Sequence, residues 1–152
     1  MSRAVAGSAE RVAVEAARLD GVAEALASLA ATLAGLADED LAVGDGADAM
    51  RARASAVSAC VHAGVPRYRT TADALREYAV ELAEARALAA HAEADRAEAA
   101  AAGDAAAVDA AETRLRIAVD RWARAAELAA AGLEAVLPDL DDGPGEHWSA
   151  FW

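Results

Sequence analysis

The sequence predicts an all-α protein, an elongated antiparallel bundle of three long helices, and three observations carry that prediction. About a third of the 152 residues are alanine, the best intrinsic helix former, and only 4% are aromatic. Apolar residues recur every seven positions over long stretches, the mark of a helix with one packing face. The clearest breaks fall at Gly44-Asp45-Gly46 and at Gly103-Asp104, so the chain divides into three long helical segments.

The first segment, 3–37, carries Val5, Val12, Leu19, Leu26 and Leu33 at a strict spacing of seven, with Val22, Leu29 and Leu36 three residues on. Together they predict a packing seam and a shallow left-handed supercoil with a partner helix. Gly7, Gly21 and Gly35 weaken this helix slightly while letting a neighbour approach. In the turn that follows, Asp45 offers a carboxylate to the free amides of a helix starting at Gly46 or Ala47. That second helix has Met50, Val57 and Val61 as its first apolar line.

Gly64-Val65-Pro66 interrupts the pattern, and Thr70-Thr71-Ala72-Asp73 has the form of a capping box that would restart a helix. Yet Val61, Tyr68, Leu75, Leu82 and Ala89 keep one register through the proline. A kink within one long helix is therefore expected, and four helices result only if the rod breaks at Pro66. The last helix, 105–137, repeats the spacing in Val108, Leu115, Trp122, Ala129 and Val136, with Asp104 as N-cap and Pro138 as stop. Glu112 with Arg116, and Asp120 with Arg124, stand at ion-pair spacing on its wet face. Residues 1–137 thus form the bundle, and 138–152 an acidic Gly/Pro linker ending in Trp148, Phe151 and Trp152, aromatics suited to docking.

The net charge is −12, from 26 acidic residues against 14 basic ones, all arginine. Such a balance disfavours nucleic acid and anionic lipid as partners. No uncharged apolar run reaches the length of a membrane span, and no cationic start precedes an apolar block as in a secretory signal. The single cysteine, Cys60, excludes an internal disulfide and is expected to be a small buried hydrophobe. Tyr68, Tyr78 and Trp122 fall at core spacing. Three scattered histidines, His62, His91 and His147, give no zinc or di-iron ligand pattern, so neither metal nor cofactor is expected. Cys60 and His62 point to different helix faces, and no other nucleophile arrangement is visible, so no enzyme is expected.

The junction Ala42-Val43-Gly44-Asp45-Gly46-Ala47-Asp48-Ala49-Met50-Arg51 resembles the helix-turn-helix junction of Trp-x-Gly secreted proteins. It is more similar still to the alanine-rich N-terminal domains of actinobacterial type VII (Esx) secretion substrates. Gly44, Ala47, Ala49 and Arg51 match that pattern, Met50 stands where the family has Phe, and Ala42 where it has Trp. Ala72-Asp73-Ala74-Leu75-Arg76-Glu77-Tyr78-Ala79 resembles the family's next stretch. The family's Tyr-x-x-x-Asp/Glu export motif is not met, because Tyr78 has Glu81 at three residues and Leu82 at four; His91 and Asp95 keep the spacing of a related motif.

The resemblance implies a non-enzymatic targeting domain, recognised with a small helical partner or chaperone by a secretion machinery and normally joined to a C-terminal toxin or effector. It implies synthesis in the cytoplasm and export or surface display without a signal peptide. Ala42, Gly44, Gly46, Met50, Tyr78 and Glu81 would carry recognition, and Trp148, Phe151 and Trp152 would begin the join to cargo. The alternative is a cytosolic helical adaptor or chaperone that holds a partner helix in its seam.

Overall fold

The computed structural model describes residues 5–38 and 44–136. Ala42, Pro138 and the tail aromatics Trp148, Phe151 and Trp152 lie outside the described residues. The protein is all-α: α1 spans Ala9–Asp38, α2 spans Asp45–Ala102 and α3 spans Ala105–Glu134, and no strand occurs among the described residues.

The helix ends follow local chemistry. Gly7 adopts φ +109°, which an L side chain resists, and the Ser8 hydroxyl accepts from the Arg11 amide at 3.3 Å. So α1 begins after this pair, later than the residue 3 that periodicity alone implies. At the next turn Gly44 takes φ +126°, and its carbonyl accepts from the amides of Ala47 and Asp48 at 2.9 and 3.1 Å. Gly44, and not Asp45, is therefore the capping residue. Asp45 and Asp48 fall in the first turn of α2, where carboxylates face the positive end of the helix dipole.

The α2–α3 turn matches the sequence reading. Gly103 sits at φ +72°, its amide bonds the Ala100 carbonyl, and the Asp104 amide reaches back to Ala99. That paired bonding is a Schellman closure, which needs a residue at positive φ. The Asp104 carboxylate then accepts from the Ala107 amide at 3.0 Å and caps α3.

Pro66 does not end its helix. The 58 residues of α2 run through it, so the four-helix arrangement is not formed and Thr70–Asp73 starts nothing. An internal proline costs about 3 kcal/mol in lost bonding and ring clash. Packing on both sides offsets that cost: Val65 and Ala72 are buried.

Which residues are buried departs most from expectation. In α1 the buried line is Ala16, Ala23 and Ala30, and in α3 it is Ala111, Ala118 and Ala125, each at a spacing of seven. The larger residues expected as the seam, Leu19, Leu26 and Leu33 or Val108, Leu115 and Trp122, stand three or four places away and are only half-buried. Leu29, Leu36, Met50, Val57 and Tyr68 are exposed, against their expected packing roles. Alanine wins the central line because its small side chain lets helix axes come close, which brings many backbone and side-chain atoms into contact at once.

The chain divides into two compact units, Met1–Glu15 with Asp73–Trp152, and Ala16–Ala72. In the first, Val5, Leu82, Ala85, Ala89 and Ala118 form the core, with Val12, Tyr78, Leu88, Leu115, Val119 and Trp122 packed around them. Gly7 is held there by an Arg86 guanidinium bonded to its carbonyl, and a Cβ on it would meet the Leu82 side chain at 3.3 Å. The second unit is a hairpin of the rest of α1 with the front of α2. Its buried residues are Ala16, Ala23, Ala30, Val65 and Ala72. The Ser58 hydroxyl donates to the Ala30 carbonyl across this hairpin at 2.7 Å and fixes its register.

Candidate functional site

The α2–α3 contact in the first unit collects the polar side chains that look most like a site. Arg121 on α3 forks onto Glu81 at 2.6 and 3.2 Å and also bonds Glu84. Arg114 bonds Asp95 at 2.5 Å, and Arg96 lies 4.0 Å from Glu112. The Trp122 indole donates to the Tyr78 hydroxyl at 3.0 Å. Each pair straddles Gly103 along the chain, as an antiparallel hairpin dictates. The Arg121 hydrogen bond holds the Glu81 carboxyl below its usual range, and Glu81 in turn raises Arg121.

Chemically this cluster is a set of surface ion pairs. Both partners of the Glu81–Arg121 pair keep about two-fifths of their side-chain surface in solvent (40% and 41%), so water screens the attraction. Among the described residues no group of three or more His, Cys, Asp or Glu converges to hold a metal ion. The expected Glu112–Arg116 and Asp120–Arg124 pairs give way to other bonds. Arg116 bonds the Thr113 hydroxyl, and Arg124 the Asp120 backbone carbonyl.

The structure separates the residues the sequence nominated together. Tyr78 and Glu81 belong to the first unit and are engaged with α3, whereas Gly44, Gly46 and Met50 belong to the second. Gly44 makes the turn, Gly46 lies in the first turn of α2 with open space where a Cβ would be, and Met50 is 72% exposed. Ala42, Trp148, Phe151 and Trp152 lie outside the described residues. His91 is exposed and its spaced partner Asp95 is taken by Arg114.

One expectation is corrected here, and one is left without support. Cys60 is exposed rather than buried, because it lies off the buried line of α2 that runs through Val65 and Ala72. And α1 is long and apolar enough to cross a membrane by length and composition, with little of it buried; Glu24 is its one charge between Gly21 and Ala37. The expected lack of a membrane span therefore does not follow from this helix.

Sequence reading missed the open side of the second unit. On α1, Leu19, Val22, Leu26 and Leu33 are only half-buried and Leu29 and Leu36 are exposed; on α2, Met50, Val57 and Tyr68 are exposed. The signal was present in the sequence: two seven-residue lines of large apolar residues beside a line of alanine leave more apolar face than one partner helix covers.

Fold and surface together define a helical-bundle protein with one unit of three packed helical segments and one of two. No family model, no curated protein and no solved structure matches the chain.

Proposed function

We propose that this chain is a non-enzymatic helical targeting domain of the kind found in type VII secretion substrates, recognised together with a helical partner and joined to a C-terminal effector. The observation that carries the reading is the Gly44–Arg51 junction. It resembles the family's motif in sequence, and it occupies the start of α2 in a two-helix hairpin, with Met50 72% exposed. A recognition signal has to be reachable on a folded helical rod, and Met50 is reachable.

Export of the protein from a bacterium with an intact type VII machinery tests the reading. The protein is expected in the medium, lost from it when the machinery's ATPase is disabled, and reduced by Met50→Glu without loss of helicity. Equal release with and without the ATPase would end the proposal. The adaptor reading is favoured by a different observation, the open apolar side of the second unit. Partner binding without export would select it.

A further inference from the structure

We propose that the open side of the second unit is the seat of a single amphipathic helix from a partner protein, apolar along one side and edged by carboxylates. The inference deepens the function proposed above and rests on it only in taking the partner to be helical.

The first unit shows what a filled seat looks like. There α2 offers two lines, Leu82 and Ala89, and Ala85, Ala92 and Ala99; all five are buried, and Ala118, Leu115 and Trp122 of α3 lie among the residues that pack there. Traced back along α2 in sevens, the first line passes Leu75, Tyr68 and Val61, and the second passes Tyr78, Thr71, Gly64, Val57 and Met50. In the second unit no residue of these lines is buried, and Met50 (72%), Val57 (42%) and Tyr68 (39%) are open to solvent. One uninterrupted helix thus carries one interface pattern, covered by α3 and by the Val5–Gly7 stretch in one unit and open to solvent at Met50, Val57 and Tyr68 in the other.

Its hairpin partner completes the face. The Ser58–Ala30 bond sets the register, which brings Leu29 (48% exposed) beside Val57 and Leu36 (51%) beside Met50. Val22 falls opposite Gly64, where nothing lies within 4 Å of a would-be Cβ. The opposite flank of the hairpin carries Asp20, His62 and Arg69 and is polar. From Val22 to Leu36 the apolar face runs about 21 Å, four turns of helix.

The edges choose the occupant. Arg18 stands one step outside the α1 stripe, and Arg53 and Arg67 one step outside the α2 stripe. Each already holds an interaction within the chain, and an incoming carboxylate adds to it. A second copy would bring arginine against arginine across the face, which is repulsive. An anionic bilayer would meet Asp38, Asp45 and Asp48 at the turn end of the same unit. A helix with apolar positions three and four apart and glutamates beside them meets both requirements, in the helix-in-groove mode.

Cys60, exposed and placed between Arg53 and Arg67 at the edge of the face, is a native labelling site. The full chain, carrying an environment-sensitive fluorophore there, is titrated with a four-turn synthetic peptide bearing a leucine stripe edged by glutamate. The same peptide edged by arginine and anionic phosphatidylglycerol vesicles serve as competitors. The expected result is a saturable blue shift with the glutamate peptide, weakened about tenfold or more by Leu29→Glu or by Met50→Glu, and about tenfold weaker binding of the arginine peptide. Circular dichroism confirms that both variants keep their helix. Equal binding of the two peptides, response to vesicles alone, no saturable response, or a stable dimer of the unlabelled chain by sedimentation would each overturn the seat. Export that persists in Leu29→Glu would leave the targeting function standing while ending this inference.

Discussion

Replacing Ala118 by leucine tests whether alanine or the larger residues form the packing seam. Ala118 is fully buried (0% exposed) in the core with Val5, Leu82, Ala85 and Ala89. If the seam had the spacing of a leucine coiled coil, three added carbons would find room and stabilise by about 2.4 kcal/mol, at about 0.8 kcal/mol per buried methylene. In a contact closed around alanine there is no such room. Overpacking then costs about 1–3 kcal/mol, and helix axes must separate to admit the side chain. For a chain of this length each kcal/mol moves Tm by about 2–4 °C, so Ala118→Leu is expected to melt about 2–12 °C below the parent. The assay is thermal melting followed by helical circular dichroism, with Leu128→Ala, at a position 76% exposed, as a control that stays within about 0.5 kcal/mol. A rise in Tm for Ala118→Leu would refute the alanine seam.

Three further outcomes follow from local geometry. Asp104→Ala removes the acceptor of the Ala107 amide and is expected to cost about 0.5–2 kcal/mol, read as a lower urea midpoint with unchanged slope. Tyr78→Phe leaves the Trp122 indole without its partner in a half-buried setting and is expected to cost about 1 kcal/mol, with a shift in tryptophan emission. Glu81 has its carboxyl lowered from 4.5 by the Arg121 hydrogen bond, so its contribution is present above the unfolded value and is lost as pH falls through the folded one. Its carboxyl carbon resonance is expected to titrate below 4.5 and to return toward 4.5 in Arg121→Ala.

Much of the fold was legible because it is written in short-range chemistry. Gly103-Asp104 spells a helix end and the next helix start, since a positive-φ residue and an amide-accepting carboxylate are needed at those two places and few residues supply them. The three-helix count followed from seven-residue spacing between such breaks. Pro66 was readable as a disturbance, but whether it ends the helix depends on burial at Val65 and Ala72, which no local rule states. Of the proposed recognition residues, Gly44 makes the turn that the sequence placed there, whereas Met50, expected on a packing line, is open to solvent. The engagement of Tyr78 and Glu81 by Trp122 and Arg121 was not readable, because those partners lie about 40 residues away and meet only once α3 folds back on α2.

Sequence by itself determined that this chain is helical, where its helices turn, and which side of each helix is apolar. Those properties depend on propensity, capping and spacing, all local to a few turns. Tertiary structure decided which apolar line is buried and which stays open. In α1, leucine outranks alanine on any scale of hydrophobicity, yet Ala16, Ala23 and Ala30 are buried and Leu29 and Leu36 are exposed. Burial is a property of pairs of surfaces: it is set by how closely two helices approach and by whether a third lies over them, and neither quantity exists until the chain has folded.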